Sequence, residues 1–431
     1  MMDFADLKHD SFALRNVSIP GCLLGKSADL VQIDLAISGG KFVDPKQVAL
    51  SINMKGAMVL PPFVDMHTHL DKGHIWPRSP NPNGTFQGAI ETVGADRQAR
   101  WTAEDVRARM EFSLKCAYAH GTRAIRTHLD SVPPQDDITW PVFCELRAEW
   151  AGRIALQGVC LIGCEGFSTD GPFRHTAQVV KDSGGVLGMV TYPVPDLKER
   201  LDAFFDLAAE LDLPVDFHVD ETLDPNVETL RMIAEAIRAA KIRTGYDQPV
   251  VVGHCCSLST QDEARAMDTL DLVASSKMYV VSLPLCNLYL QDRQEGRTPR
   301  YRGITLVHEM KARGIPVAFA SDNTRDPFYA YGDMDMLEVL REATRIGHLD
   351  HSEPDWIRSV NEIPADIGFG APTLILGAPA DMLIFKARNW NELFARPQSD
   401  RIVVRNGRQI DRTLPDYAEL DVLMEKTNEP A

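Results

Sequence analysis

The chain has 431 residues, 44% of them hydrophobic and 25% charged. That is an ordinary globular composition at roughly twice the comfortable size of a single core, so one large domain with a smaller appendage is expected. Its 61 acidic residues against 45 basic ones leave a formal charge of −16, which argues against nucleic acid and anionic membranes as partners. No apolar run approaches the roughly 18 residues of a membrane helix. The opening MMDFADLKHD is acidic where an export signal would be basic and then apolar, so the expected address is the cytoplasm. Cys22, Cys116, Cys144, Cys160, Cys164, Cys255, Cys256 and Cys286 form no C-x-x-C pair and read as free thiols.

Residues 1 to about 60 are short alternating apolar segments broken by glycine (FALRNVSI, LVQIDLAISGGKFVD, VALSINMKGAMVL), the pattern of strands and tight turns. ADMLIFKA and RIVVRNGRQI near the other end resume that style, with an Asn406-Gly407 turn. The two ends, 1–60 and 375–431, are therefore expected to pair into one small β-sandwich domain. Between them, over 61–374, eight β-branched-rich runs start at 63, 122, 153, 184, 214, 249, 278 and 316. Helix-like stretches such as TAEDVRARMEFSLKCAYAHG fill the intervals, so each repeat is one βα unit. Eight such units predict an α/β fold, a (β/α)₈ TIM barrel. An open doubly wound sheet is the competitor, but neither G-x-G-x-x-G nor a P-loop occurs. The Pro/Asn/Gly-rich DKGHIWPRSPNPNGTFQG after the first run reads as a loop over the barrel mouth.

His67 and His69 in DMHTHL alternate onto one face at the C-terminal end of the first strand, where barrel enzymes place their chemistry. A lone H-x-H is weak evidence for a metal. Further candidates stand at the same level of other strands: His218 in DFHVDE, His254 in VVGHCC and Asp322 in ASDN. Neutral imidazoles with one carboxylate suit Zn²⁺ or Fe²⁺, one divalent ion per chain with a position left for water. Glu221, three residues beyond His218, is placed to move protons. His308-Glu309 lacks the second histidine of a zinc-protease helix, no P-C-x-x-C motif occurs, and the sequons at Asn16 and Asn83 are chance matches in a cytoplasmic protein.

The set H-T-H, H-V-D-E, G-H-C-C-S-L-S and S-D-N, in this order, resembles the amidohydrolase superfamily. Longer stretches (PPFVDMHTHLDK, IRTHLD, VSLPLCNLYLQDR and RGITLVHEMKARGIPVAFASDNTRDPFYAYGDMDMLEVL) are similar to the cytosine deaminase family, over nearly the whole chain. The resemblance implies His67, His69, His218 and Asp322 as ligands of a single metal, because GGVLGMVTY lacks the lysine of two-metal relatives. It further implies Glu221 as proton shuttle, Asp322 as first acceptor of the water's proton, and His254 acting beside the metal on the attacking water. The implied activity is hydrolytic deamination of a free nucleobase, cytosine or a 5-substituted cytosine such as 5-methylcytosine, by metal-activated water with release of ammonia. The implied partners are a small heterocyclic substrate and further copies of the chain in a homo-oligomer.

Three positions depart from that family where it touches substrate: Cys164 stands for a glutamine, Asn323 for an aspartate and Phe328 for a tryptophan. Together they predict an altered pocket, one that accepts a 5-substituted cytosine such as 5-methylcytosine or another aminated heterocycle. HLDK and ASDN also resemble triazine N-alkyl amidohydrolases of the N-isopropylammelide kind, which release an alkylamine. Lys72 is then either a substrate-facing cation or a solvated loop charge. His128 and Asp130 are supports of the site or simply structural. A ring-opening amidase and a ligand-binding homologue without catalysis complete the alternatives; the first lacks its strand-four lysine, and the second predicts gaps in a constellation that has none.

Overall fold

The computed structural model describes residues 10–168, 171–362, 367–370 and 374–425. The acidic segment 1–9 and the final 426–431 of the expected terminal domain lie outside the described residues. The chain divides into two compact units, Met1–Val64 with Lys115–Arg123 and Asp335–Leu414, and Asp65–Leu114 with Ala124–Met334 and Pro415–Ala431. No described helix is long and apolar enough to cross a membrane.

The first unit carries one eight-stranded mixed sheet built from both ends of the sequence. Its strands are β1 (Ser11–Pro20), β2 (Leu30–Ser38), β3 (Lys41–Val43), β4 (Ser51–Asn53) and β5 (Met58–Leu60), then β14 (Met382–Phe385), β15 (Ile402–Arg405) and β16 (Arg408–Gln409). β14 pairs antiparallel with β5, which joins the two ends. Apolar residues of alternating strand positions, among them Phe12, Leu14, Val59, Met382 and Ile384, meet in one buried cluster. Asn406 and Gly407 turn β15 into β16 with φ of 48° and 75°, the left-handed pair that suits a two-residue hairpin.

This unit is larger than 1–60 plus 375–431, for a reason visible in its polar contacts. Arg401, 3% exposed, places its two Nη atoms 2.7 and 2.6 Å from the oxygens of Asp335 and donates to the His120 carbonyl at 3.3 Å. A buried fork of this kind ties 115–123 and the chain after 335 to the terminal sheet. Conversely, Tyr417 in the second unit stacks on Phe112 and lies under Arg325, which takes the last residues away from the β-sheet unit.

In the second unit the eight apolar runs form β6 (Phe63–Thr68), β7 (Thr122–Asp130), β8 (Ala155–Leu161), β9 (Leu187–Thr191), β10 (Val215–Val219), β11 (Val250–His254), β12 (Tyr279–Ser282) and β13 (Val317–Phe319). They make a three-stranded sheet, β6-β7-β8, and a five-stranded one, β9 to β13. The recorded pairings from β7 to β8 and through β9 to β13 are parallel. Isolated parallel bridges link the edges: Val159 to Val186 and Gly163 to Val190 on one side, Thr68 to Asp322 on the other. Strands such as β10 and β11 are buried at every position, as parallel strands covered on both faces must be. Helices fill the intervals, including Ala103–His120, Leu197–Leu211, Thr229–Thr244 and Glu263–Ser275.

The segment 71–85, expected as a loop over the barrel mouth, is anchored by ion pairs and by the helix that follows it. Arg78 is held by Asp96 and Asp105, and helix Phe86–Arg100 begins where Thr85 Oγ1 accepts from Gly88 N at 3.0 Å. Asp335→Ala would strand the buried Arg401 and cost about 3–5 kcal/mol, read as a lowered denaturant midpoint. Arg401 holds the Asp335 carboxyl down to about 2. Its contribution is therefore complete above the unfolded value near 4 and is lost as pH falls toward 2, so wild type and variant should converge in acid.

Candidate active site: a histidine cluster beneath a cavity

β6 delivers His67 and His69 to one place, and the backbone ties them to the opposite edge: Asp322 N donates to the His67 carbonyl at 2.8 Å, and Thr68 Oγ1 donates to the Asp322 carbonyl at 2.7 Å. His218 ends β10 and His254 ends β11. His254 and Asp322 adopt φ of 69° and 62°, left-handed backbone that costs a side-chain-bearing residue of order 1–3 kcal/mol and is characteristic of functional sites. Gly253 has a different reason. A Cβ there would stand 2.9 Å from Cε1 of His67, so only glycine lets that ring lie against β11.

The Nε2 atoms of His67 and His218 are 3.1 Å apart, and those of His218 and His69 3.3 Å. Asp322 Oδ1 lies 3.2 Å from His69 Nε2 and 3.6 Å from His67 Nε2. Four donors around one ion at about 2.0–2.1 Å would be separated by roughly 3.3 Å. Hydrogen bonding alone does not account for the cluster: three neutral imidazoles have too few protons for these contacts, and both oxygens of Asp322, 1% exposed, lack a hydrogen-bond partner. The donor set fits a divalent cation. Burial, with mutual repulsion, drives the protonated forms of His67, His69 and His218 well out of range, leaving neutral ligands. Burial also pushes Asp322 up to about 7, a burden that a cation between these groups would lift.

Glu221 and His254 stand beside this cluster. His254 Nδ1 is 3.4 Å from Glu221 Oε1 and 3.0 Å from Asn287 Nδ2. With the amide donating, Nδ1 accepts and the ring proton sits on Nε2, which is buried and has no other partner. His254 is thus a donor rather than a base, and burial first, then His128, lowers it to about 3. Burial and the Asp322 charge push the Glu221 carboxyl well up, so it can hold a proton to give.

Lys72 is not a solvated loop charge. It is 5% exposed, pairs with Asp130 at 3.0 Å and lies 5.3 Å from the Phe328 ring centre. Arg97 holds the other oxygen of Asp130 at 2.6 Å. Above the histidines opens a cavity of about 620 Å³ lined by Lys72, Glu221, Asn323 and Phe328, with Phe86 and Ile90 of the helix after the loop on its apolar side. Asn323 donates to Asp326 at 2.7 Å. Cys164 is placed elsewhere: its thiol is wholly buried against the Tyr192 carbonyl at 3.7 Å, and Ile162 and Gly163 form the cavity wall at that point. Cys255 and Cys256 are buried.

Three contributors went unread in the sequence, Asp216, Asn287 and Gln291, and a fourth, His128, was left between a support of the site and a structural role. His128, whose ring centre is 3.9 Å from that of His67, has Nε2 3.3 Å from Asp216, which also takes Arg126 at 2.7 Å. Period-two alternation from His218 pointed to Asp216. Asn287 and Gln291 share one face of the helix Pro284–Leu290 and its cap by their spacing of four; Gln291 lines the cavity and donates to the Glu221 carbonyl at 3.2 Å.

The model of the amidohydrolase family matches residues 51–132 and 171–411, and the chain belongs to that family, as a hydrolase of carbon–nitrogen bonds in cyclic amidines. It is 50% identical over 428 residues to a pterin deaminase of Rhizobium rhizogenes, covering 96% of this chain and 97% of that one. It resembles a crystal structure of 5-methylcytosine deaminase from Klebsiella pneumoniae liganded with 5-fluorocytosine, with a TM-score of 0.77, 25% identity and coverage of 94% and 98%. N-isopropylammelide isopropyl amidohydrolase of a Pseudomonas species is 26% identical over 304 residues, 68% of this chain and 70% of that one.

Removing divalent ions by chelation and dialysis should lower the melting temperature, and restoring one equivalent should recover it. An ion held at a thousand times its dissociation constant contributes about 4 kcal/mol. Gly253→Ala should lose this recovery by displacing His67. A melting curve indifferent to chelation would contradict the cation site.

Proposed function

We propose that this chain is a hydrolytic deaminase of a free aminated heterocycle, with the pterin class, a fused ring bearing a 2-amino-4-oxo edge, as its substrate. The observation that carries the reading is a proton donor, Glu221, and an Nε2–H donor, His254, side by side at the floor of a cavity roomy enough for two fused rings. The pterin deaminase at 50% identity favours the fused ring over the cytosine or 5-methylcytosine expected from sequence. A monocyclic cytosine is the second reading, favoured by the likeness to the 5-methylcytosine deaminase structure.

His67, His69, His218 and Asp322 would hold the ion, Zn²⁺ or Fe²⁺ by the chemistry of their donors. Such an ion supplies Lewis acidity and an acidified water when bound. Asp322 takes the proton of the attacking water. Glu221 protonates the ring nitrogen beside the amine-bearing carbon, takes up the second proton of the former water and passes it to the departing nitrogen, and regains its own proton from Asp322, so that water and amine become carbonyl and ammonia. His254 orients the water and donates from Nε2 to the developing oxygen charge. Phe328, Asn323 and Lys72 shape the far wall; Cys164 acts only through the turn behind it.

The parallel bridges at both sheet edges support closure of β6 to β13 into a (β/α)₈ barrel, and the sheet of the terminal segments, bridged between Lys41 and Pro379, supports a small sandwich-like domain. A homo-oligomer in the cytoplasm completes the proposal by analogy with the family.

Ammonia and alkylamine release should be measured separately with pterin, cytosine, 5-methylcytosine and N-isopropylammelide. Ammonia from pterin with the highest kcat/KM is expected; the highest kcat/KM on a cytosine would move the assignment to the second reading, and alkylamine release would replace deamination. Glu221→Gln should lower kcat by roughly 10²- to 10⁴-fold, and an unchanged rate would remove Glu221 from the proton path.

A further inference from the structure

The proposed mechanism leaves one buried nucleophile at the site without a task. Cys286, in the helix Pro284–Leu290 just after β12, is wholly buried with Sγ 3.6 Å from Asn323 Oδ1. It belongs to a second set of possible ligands: Glu221, Cys286 and Asp322 each bring one donor atom within 4.8 Å of the other two. This set overlaps the His67, His69, His218 and Asp322 group only at Asp322. A carboxylate offers about four lone-pair directions over two oxygens. Oδ1 of Asp322 faces His69 at 3.2 Å, and the Cys286 thiol is the side chain that reaches this carboxylate from the helix Pro284–Leu290. The ammonium that both carboxylates feel, Lys72, is committed to Asp130 at 3.0 Å. Two carboxylates facing a thiol form a harder-and-softer donor set suited to Zn²⁺ and its heavier analogue Cd²⁺.

We propose that Glu221, Cys286 and Asp322 form a second, weaker site for a thiophilic divalent cation, bridged to the first through Asp322, and that filling it inhibits the enzyme. Carboxylate-bridged ions at about 3.5–4 Å are the usual geometry of paired sites. On entry the Cys286 thiol and the Glu221 carboxyl release their protons to solvent and sulfur–metal and oxygen–metal bonds form, with no change in oxidation state. Glu221, once coordinated, has no proton to give the ring nitrogen, and turnover stops. The inference rests on the first site being the metal centre proposed above.

The test loads the full chain with one equivalent of Zn²⁺, then adds Zn²⁺ or Cd²⁺ alone. Bound ions are counted by elemental analysis after equilibrium dialysis, the ultraviolet sulfur-to-cadmium charge-transfer band is recorded, and the rate is followed. Cys286→Ser and Cys286→Ala are each compared with their own one-equivalent state. Wild type should take a second ion, gain the band and lose activity in step. Both variants should bind that ion at least roughly 10- to 100-fold more weakly, lack the additional band and resist inhibition. Saturation at one ion, or variants that take up the second ion as wild type does, overturns the proposal while leaving the first site standing. A wild type that holds no ion, matched by His67→Ala, overturns both.

Discussion

Among three imidazole nitrogens and a carboxylate oxygen, four neighbouring pairs are 3.1–3.6 Å apart in a place from which water is nearly excluded. Lone pairs packed so closely repel unless something positive lies among them, and the remainder of the second unit is arranged to hold them there. Gly253 clears the space for His67, the backbone link between Asp322 and His67 fixes the two edges of the strand array, and Asp216 with Arg126 stands behind His128 and thereby behind His67. The unfavourable left-handed turns at His254 and Asp322 are sustained because the strands before them are buried on both faces.

The same burial separates the proton-handling roles. Neutral His254 is fixed by Asn287 as a donor, whereas Glu221, raised by burial and by the Asp322 charge, retains a proton next to it. Lys72 would ordinarily draw that carboxyl down, but Asp130 engages it, with Arg97 and Asp71 completing the network behind the cavity wall. The cavity thus has Glu221 and His254 in its lining and an apolar side made by Phe86, Ile90 and Phe328.

The strands and the candidate ligands were legible in the sequence because burial on both faces imposes uninterrupted β-branched runs, and because histidines that end such strands stand out from them. Each of the eight runs became a strand, with His67, His69 and His218 in one group of neighbouring donor atoms, His67, His254 and Asp322 in another, and Glu221 and Asp322 in a third. Residues that act through others left weaker marks. Asp216 is one carboxylate in a buried run, and Asn287 and Gln291 needed a helical reading of a segment marked only by its likeness to other chains. Cys164 opens the short turn Cys164–Gly166 after β8, where its thiol meets the Tyr192 carbonyl while Ile162 and Gly163 line the cavity. The helix at Phe86–Arg100 was obscured by Pro and Asn before it, and ring size was unreadable because cavity volume depends on how that helix packs.

X-ray absorption spectroscopy of the protein carrying one equivalent of Zn²⁺ examines the convergence of these donors without reference to any substrate. The account predicts a first shell of nitrogen and oxygen only, near 2.0–2.1 Å, with the outer-shell scattering of three imidazoles that His218→Ala reduces to two. A shell containing sulfur, or one without imidazole scattering, would contradict it.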